Sequence, residues 1–85
     1  MVHNLEPELA VHRILDLRGV FCPMNFVKTK LALDGLEEGQ VLEVIIDDGE
    51  PVKNVPRSIK EEGHHILRVD NLGGAFRLLI RKAGD

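Results

Sequence analysis

The chain has 85 residues, a formal net charge of −3 and 44% hydrophobic residues, so we expect one small globular domain with its functional groups at the surface. Its 11 Lys and Arg residues are outnumbered by 14 Asp and Glu, and aromatic residues make up 4%, which argues against free nucleic acid as the main ligand. The single cysteine excludes an intramolecular disulfide framework, and no segment is apolar enough for a signal peptide or a membrane span. We therefore expect a cytoplasmic protein that does not bind membranes.

The first seventeen residues predict a leader followed by a strand. Residues 1–10 are polar and lack clear periodicity, so we expect a flexible leader ahead of a single domain over residues 11–85. Val11–Leu17 alternates roughly between apolar and polar residues. This alternation predicts a first strand that ends near residues 18–19.

A helix and a second strand are predicted next. Met24–Leu36 is rich in helix formers, and Pro23 is predicted as the first helical residue, where its missing N–H costs nothing. Val41–Ile46 has the β-branched content of a strand. Asp47 and Asp48 follow directly, and we interpret them as a turn and helix cap and not as a carboxylate pair for acid–base or metal chemistry.

The remainder predicts a second helix and two strands. Apolar residues recur at helical spacing from Pro51 to near Gly63, and Pro56 is expected to divide this helix into two pieces joined by a kink. Strands are predicted at His64–Asp70 and Ala75–Lys82, joined by a hairpin turn over residues 71–74. His64 and His65 would then point to opposite sides of the sheet, which makes a shared metal ion unfavourable. Three basic residues of the last strand are expected on the open face or the edge of the sheet, namely Arg77, Arg81 and Lys82.

The element order β-α-β-α-β-β predicts an α/β two-layer sandwich. A crossover through a helix makes the first two strands parallel, and the short last turn makes the final two antiparallel. Two helices would then pack on one face of a four-stranded mixed sheet.

The candidate reactive group is Cys22, which lies between the predicted first strand and the predicted first helix. Free N–H groups and the helix dipole at a helix N-terminus stabilise an anion, and a thiolate is one. Arg18, Lys28 and Lys30 are near enough in sequence to strengthen this positive field. The alternative is that Cys22 is a small buried apolar residue.

The residues near Cys22 favour a thiol that carries a group over a hydrolytic one. A hydrolytic cysteine needs a histidine base, and no histidine is placed beside Cys22 by local spacing. A thioredoxin-type exchange needs a second cysteine at position 25, which is Asn25. A lone exposed thiol suits a sulfane sulfur, a mixed disulfide or a glutathione cap.

The segment Leu15–Pro23 resembles the TusA/SirA family of small sulfur-carrier proteins, whose hallmark is Cys-Pro-x-Pro after a Leu-Asp-x-x-Gly-type strand end. The resemblance extends over residues 13–82, at Gly39, Asp47, Asp48, Pro56 and the closing residues 78–82. It implies sheet order 1-2-4-3 and a sulfurtransferase-type carrier in which Cys22 accepts sulfur as a persulfide, with Gly19 and Pro23 shaping the loop.

The same resemblance implies the partners. The donor would be a cysteine desulfurase or a rhodanese-like protein, and an acceptor protein would take the sulfur onward. In the best-known relatives the sulfur ends in thiolated tRNA bases through relay proteins, without direct catalysis on RNA. The resemblance implies no metal and no cofactor beyond the covalent persulfide sulfur on Cys22.

Asn25 stands where the family motif has its second proline. At 100° per residue it shares the core side of the helix, together with Phe26, Thr29, Ala32, Leu33 and Leu36. Its amide can cap free N–H groups of the first turn or bond to the Cys22 loop. The substitution leaves open which sulfur pathway the chain serves.

The opposite side of the helix carries Met24, Val27 and Leu31, flanked by Lys28 and Lys30. If exposed, this apolar stripe would form a docking patch for an acidic partner with an apolar centre. The alternative is a helix buried on both sides. A second function class also stays open, namely a non-catalytic interaction or regulatory module of the same fold in which Cys22 is incidental.

Overall fold

The computed structural model describes residues 11–84, so the leader predicted at residues 1–10 lies outside the described residues. The elements are β1 (Arg13–Asp16), α1 (Met24–Asp34), β2 (Val41–Asp47), α2 (Glu50–Glu61), β3 (His65–Asn71) and β4 (Ala75–Arg81). The strands form one sheet in the order β1-β2-β4-β3. β1 is parallel to β2, and the other two pairings are antiparallel. The predicted two-layer α/β sandwich with order 1-2-4-3 is confirmed.

The core lies between the helices and one face of the sheet. Leu42, Val44 and Ile46 alternate along β2 and are fully buried, and in the register of the sheet Leu42 is opposite Ile80 and Val44 is opposite Leu78. This is the period-2 pattern of a strand with one buried face. The core cluster consists of Leu17, Ala32, Leu33, Leu42, Val44, Ile46, Val55, Ile59, Leu78 and Ile80.

Helix α1 begins one residue later than predicted. Pro23 is the N-cap residue, with φ −94° and ψ 4°, and its carbonyl accepts the first helical hydrogen bond from the Val27 N–H at 3.0 Å. The prediction of Pro23 as the first helical residue is therefore wrong by one position, because an N-cap residue contributes its carbonyl to the helix while its own dihedral angles stay outside it. The Cys22–Pro23 peptide bond is cis.

Helix α2 is a single helix that contains Pro56, so the predicted division into two pieces is wrong. A proline in a helix interior costs about 3 kcal/mol. Val55 and Ile59 lie on the side of α2 that faces the core, and both are buried. Burial of such side chains stabilises the folded state by about 1.5 to 3 kcal/mol each. Packing against the sheet therefore outweighs the local preference to break the helix.

The residues expected to cap α2 have other partners. Gly49 is the N-cap, and no side chain caps the first turn of α2, so the capping part of the prediction for the two aspartates is wrong, whereas Asp48 lies in a turn as predicted. Asp48 accepts a hydrogen bond from the Gly49 N–H at 2.7 Å, and Asp47 bonds across the sheet to the Cys22 loop. The physical reason is that β2 extends to Asp47 and ends beside the loop that follows β1, where the Gly19 backbone N–H is available.

The basic residues of the last strand also differ in placement. Lys82 Nζ donates to the Leu33 carbonyl at 2.7 Å, at the C-terminal end of α1, where the helix dipole favours a cation. The prediction that Lys82 faces the open side of the sheet is therefore wrong. Arg77 Nη2 lies 3.0 Å from Asp70 Oδ2, across the pair β3–β4.

Among residues 11–84, no helix is both long enough and apolar enough to span a bilayer.

Candidate functional site

The site lies at the carboxyl ends of the two parallel strands, β1 and β2. The Leu17 N–H donates to the Ile45 carbonyl at 2.8 Å, which continues the pairing one residue past β1. The chain then turns, with the Val20 N–H donating to the Leu17 carbonyl at 3.1 Å. Gly19 has φ +81° in this turn, a value that glycine adopts readily and side-chain-bearing residues rarely do. This explains the glycine three residues before Cys22.

Asp47 anchors this turn from the neighbouring strand. Its Oδ2 accepts a hydrogen bond from the Gly19 N–H at 2.7 Å. Asp47 was not predicted as a site residue. Its position could have indicated this role, because the carboxyl ends of adjacent parallel strands meet at one edge of the sheet. The bond connects β2 directly to the loop that carries Cys22.

Arg18 was predicted to contribute positive charge and partner contacts near the thiol. In the structure its guanidinium pairs with the Asp16 carboxylate, with Nη2 2.7 Å from Oδ2. The hydrogen bond from Arg18 lowers the pKa of Asp16 to about 2. Because Arg18 is engaged with Asp16, most of its charge is compensated locally.

Cys22 is an exposed free cysteine and directly precedes the N-cap residue of α1. Its neighbour Phe21 is 84% exposed, and the Phe21 carbonyl accepts a hydrogen bond from the Asn25 N–H at 3.2 Å. The backbone on either side of the thiol is therefore held, while the sulfur faces solvent. The alternative of a buried structural cysteine is excluded by this exposure.

The thiol opens onto a shallow cleft of about 440 Å³ between the N-terminal ends of α1 and α2. The lining residues are Val20, Phe21, Cys22, Asp47, Asp48, Glu50 and Pro51. Three of them are acidic, and none of the three forms an ion pair with a residue that the structure describes. No basic side chain is among the described residues that line this cleft, so the positive side-chain field predicted from Arg18, Lys28 and Lys30 does not extend to its lining. Helix N-termini favour an anion independently of these side chains.

Lys30 lies away from the thiol. Its Nζ is 3.0 Å from Glu62 Oε1, at the C-terminal end of α2, and this hydrogen bond raises the pKa of Lys30. The predicted role of Lys30 beside Cys22 and as a free flank of the apolar stripe does not fit this pairing. The cause is tertiary, because α1 and α2 lie side by side and the position of Glu62 depends on their packing.

Asn25 is fully buried in the first turn of α1. Its side-chain oxygen accepts a hydrogen bond from the Phe26 N–H at 2.7 Å, and its backbone carbonyl accepts one from Thr29 Oγ1 at 2.8 Å. The side-chain amide nitrogen has no partner among the described residues. The Asn25 side chain thus bonds to the Phe26 N–H, which a proline at position 25 could not do. In return, the side-chain nitrogen of Asn25 is a buried donor without a partner among the described residues.

The apolar stripe on α1 is exposed. Met24 is 49% exposed, Val27 37% and Leu31 64%, and Lys28 is exposed beside them. The opposite side of the helix faces the core, with Asn25 and Leu33 fully buried. Within residues 11–84, the helical periodicity therefore assigned the buried side and the exposed side of α1 correctly.

Two of the three described histidines, His12 and His64, have side-chain hydrogen bonds to backbone groups away from Cys22. His12 Nδ1 accepts from the Val41 N–H, and His64 Nδ1 accepts from the Ala83 N–H, each at 3.0 Å. Burial, and then the nearby Lys82 charge, lower the pKa of His64. No histidine is among the described residues that line the cleft, so the geometry that they form is not that of a cysteine–histidine pair.

The comparisons with known proteins agree with this geometry. The sequence profile of the family described as "Sulfurtransferase TusA" matches residues 13–82. A protein of Archaeoglobus fulgidus named "Putative sulfur carrier protein" is 41% identical over 76 residues, which cover 88% of this chain and 86% of the relative. The "Sulfur carrier protein TusA" of Allochromatium vinosum is 35% identical over 69 residues, covering 81% and 91%.

A solved structure supports the fold. The crystal structure of a SirA-like protein from Desulfitobacterium hafniense superposes with a TM-score of 0.72, covering 85% of this chain and 99% of that one. The sequence identity is 22%, so this likeness concerns the fold alone.

Proposed function

Because the chain belongs to the sulfurtransferase TusA family, we propose that it is a sulfur carrier that takes sulfane sulfur as a persulfide on Cys22 and passes it to an acceptor protein. The observation that carries the proposal is the exposed thiol at the start of α1, in a chain similar to proteins named as sulfur carriers. A lone thiol stays reduced in the cytoplasm, which is where we propose that the transfer occurs. The final acceptor would be the tRNA-thiolation machinery or another sulfur-trafficking route.

The proposed reaction has two exchange steps. In the first, the Cys22 thiolate attacks the terminal sulfur of a donor persulfide, a new S–S bond forms on Cys22, and the donor leaves as its thiolate. In the second, an acceptor thiolate attacks the terminal sulfur on Cys22, the same S–S bond breaks, and Cys22 returns as thiolate. Each step conserves sulfur and electrons, so no external oxidant or reductant is needed.

The residues around Cys22 support this role in two ways. The N-terminus of α1 provides free N–H groups and a partial positive charge that favour the anionic sulfur before and after each step. The Asp47–Gly19 hydrogen bond and the Asn25–Phe21 backbone bond hold the loop on both sides of the thiol. The sulfur is thus presented at a fixed point while it stays open to a partner protein.

The test is intact mass spectrometry under non-reducing conditions after incubation with a persulfide-loaded donor, either a cysteine desulfurase with cysteine or a rhodanese with thiosulfate. The wild-type chain should gain the mass of one sulfur atom, and reductant should remove it. Cys22→Ser should gain nothing. Inorganic polysulfide serves as a second donor that loads the thiol without protein docking, and alkylation of untreated wild type confirms that Cys22 is accessible.

The rival function is a binding module of the same fold, which the exposed apolar stripe on α1 favours. In that case Cys22→Ser would keep its partner, and neither protein donors nor polysulfide would load the wild-type thiol. That combined result would refute the carrier proposal.

A further inference from the structure

A second cleft, of about 300 Å³, lies between the edge strand β1 and helix α1. Its lining residues are Arg13, Leu15, Lys28, Leu31 and Ala32, and we refer to it as the β1–α1 groove. Three of these residues are apolar and two are basic. The cleft beside Cys22 has the opposite charge, since acidic residues line it.

The two cations of the groove are uncompensated. Arg13 and Lys28 are exposed, and neither forms an ion pair within residues 11–84. Two other basic residues of β1, α1 and the loop between them are paired, Arg18 with Asp16 and Lys30 with Glu62. The groove therefore concentrates the positive charge that an acidic ligand would meet.

The groove also borders a sheet edge that has no strand paired to it among residues 11–84. β1 is the end strand of the sheet and pairs with β2 on one side. On its other side, alternate backbone N–H and C=O groups of an edge strand point away from the sheet and can pair with an added strand. An extended peptide can thus gain backbone hydrogen bonds from β1 while its side chains reach the groove.

The exposed apolar stripe on α1 links the groove to the thiol end of that helix. Leu31 lies in the groove, and Met24 lies at the thiol end of the same exposed stripe, with Val27 between them. Seven residues of α-helix span about 10 Å, a distance that three or four residues of extended chain cover. A segment in the groove would therefore place the adjoining part of its protein over Cys22.

We propose that the β1–α1 groove docks an extended acidic segment of the protein that exchanges sulfur with Cys22. The segment would place carboxylates against Arg13 and Lys28, and apolar side chains between them against Leu31. The proposal rests on the carrier function proposed above and names the chemistry of the partner for that same site.

The first test uses a defined probe, a short synthetic peptide that alternates Glu and Val, added to the ¹⁵N-labelled full chain at low salt. The peptide should change the amide chemical shifts of residues 13–15 and 28–32. These changes should disappear at high salt, because salt screens contacts between exposed charges. The same peptide with Lys in place of Glu should bind at least tenfold more weakly. Equal binding of the two peptides, or shifts confined to other residues, would overturn the proposal.

Charge reversal with a matched control makes the test specific. Arg13→Glu/Lys28→Glu should weaken binding of the Glu–Val peptide at least tenfold, and Arg13→Gln/Lys28→Gln should give an intermediate loss. The control Arg81→Glu/Lys60→Glu makes the same change in net charge at two other exposed residues and should bind as the wild type does. An equal loss in the control would show a net-charge effect and refute a groove.

The transfer assay separates this proposal from the carrier function. With a protein donor that loads the wild type, Arg13→Glu/Lys28→Glu should load at least tenfold more slowly, while polysulfide should load both chains at the same rate. If protein-donor loading is unchanged and polysulfide loading is intact, the carrier function stands and the groove proposal fails. If polysulfide loads neither chain, the carrier function itself fails.

Discussion

Asn25 offers a direct test of how the loop beside Cys22 is packed, through the isosteric change Asn25→Asp. The side chain is fully buried and its amide nitrogen has no partner, so an ionised carboxylate would be buried without a cation. The protein can avoid this by keeping the introduced carboxyl protonated, which raises its pKa in the folded state. The pKa of an aspartate in the unfolded chain is about 3.9. Keeping the carboxyl protonated in the folded state therefore lowers the free energy of unfolding by at most about 4 kcal/mol at pH 7 and by about 1 kcal/mol at pH 4.5.

The expected loss at pH 7 is somewhat smaller than this limit. The N-terminus of α1 favours a negative charge by about 0.3 to 1 kcal/mol, and the Phe26 N–H already bonds to the Asn25 oxygen. We therefore expect a loss of about 3 kcal/mol at pH 7. Because the folded-state pKa is raised, the loss should be small near pH 4 and grow as the pH rises above it.

The assay is urea unfolding of wild type and Asn25→Asp at pH 7 and pH 4.5. With a slope of about 1 kcal/mol per molar urea, the midpoint at pH 7 should fall by about 3 M. Asn71→Asp is the control, because Asn71 is exposed and its Oδ1 bonds to the Gly73 N–H, so the pH-dependent loss should be absent. A loss at pH 7 no larger than at pH 4.5 would refute the reasoning and show that Asn25 is hydrated in solution.

Two further changes test the strand ends of the site. Gly19→Ala should lower the free energy of unfolding by about 1 to 2 kcal/mol, because a residue with a side chain is strained at φ +81°. The control Gly35→Ala, at φ −83°, should be neutral or stabilising. Equal urea midpoints for the two variants would contradict this prediction. Arg18→Ala should raise the pKa of Asp16 from about 2 toward its ordinary 3.8, as measured by carboxyl-carbon NMR titration. Since the folded-state pKa of Asp16 is lowered, any stability that the Asp16–Arg18 pair adds is present above about pH 4 and is lost as the pH falls through about 2. An unchanged Asp16 pKa in Arg18→Ala would show that Arg18 does not lower it.

Local patterns predicted much of the fold. Alternation along β2 predicted its buried face, and the β-α-β crossover rule predicted the parallel pairing of β1 with β2. The sheet order itself was implied by the family resemblance and is the order observed. Helical periodicity separated the buried Asn25 from the exposed Leu31 on α1. Pro56 was misinterpreted because a local cost was weighed without the burial of Val55 and Ile59 that offsets it.

The surroundings of Cys22 were harder to predict than the thiol itself. The cysteine and the helix start that follows it are neighbours in sequence, so a local pattern suffices to place them together. The Asp47–Gly19 bond joins residues 28 positions apart, and the Lys30–Glu62 pair joins residues 32 positions apart. Such contacts depend on which strand ends and helix ends become adjacent when the chain packs.

The amino-acid sequence by itself therefore determined the order of the elements and the buried sides of β2 and α1, because these follow from periods of two and 3.6 residues. It also placed Cys22 at a helix start, while the exposure of the thiol is known from the structure. Only the tertiary structure decided the charges around that thiol. It paired Arg18 and Lys30 with carboxylates, brought Asp47, Asp48 and Glu50 to the cleft, and left Arg13 and Lys28 uncompensated beside the edge strand. The physical reason is that Coulomb interactions act over a few ångströms through space, so their balance depends on packing between elements and not on position along the chain.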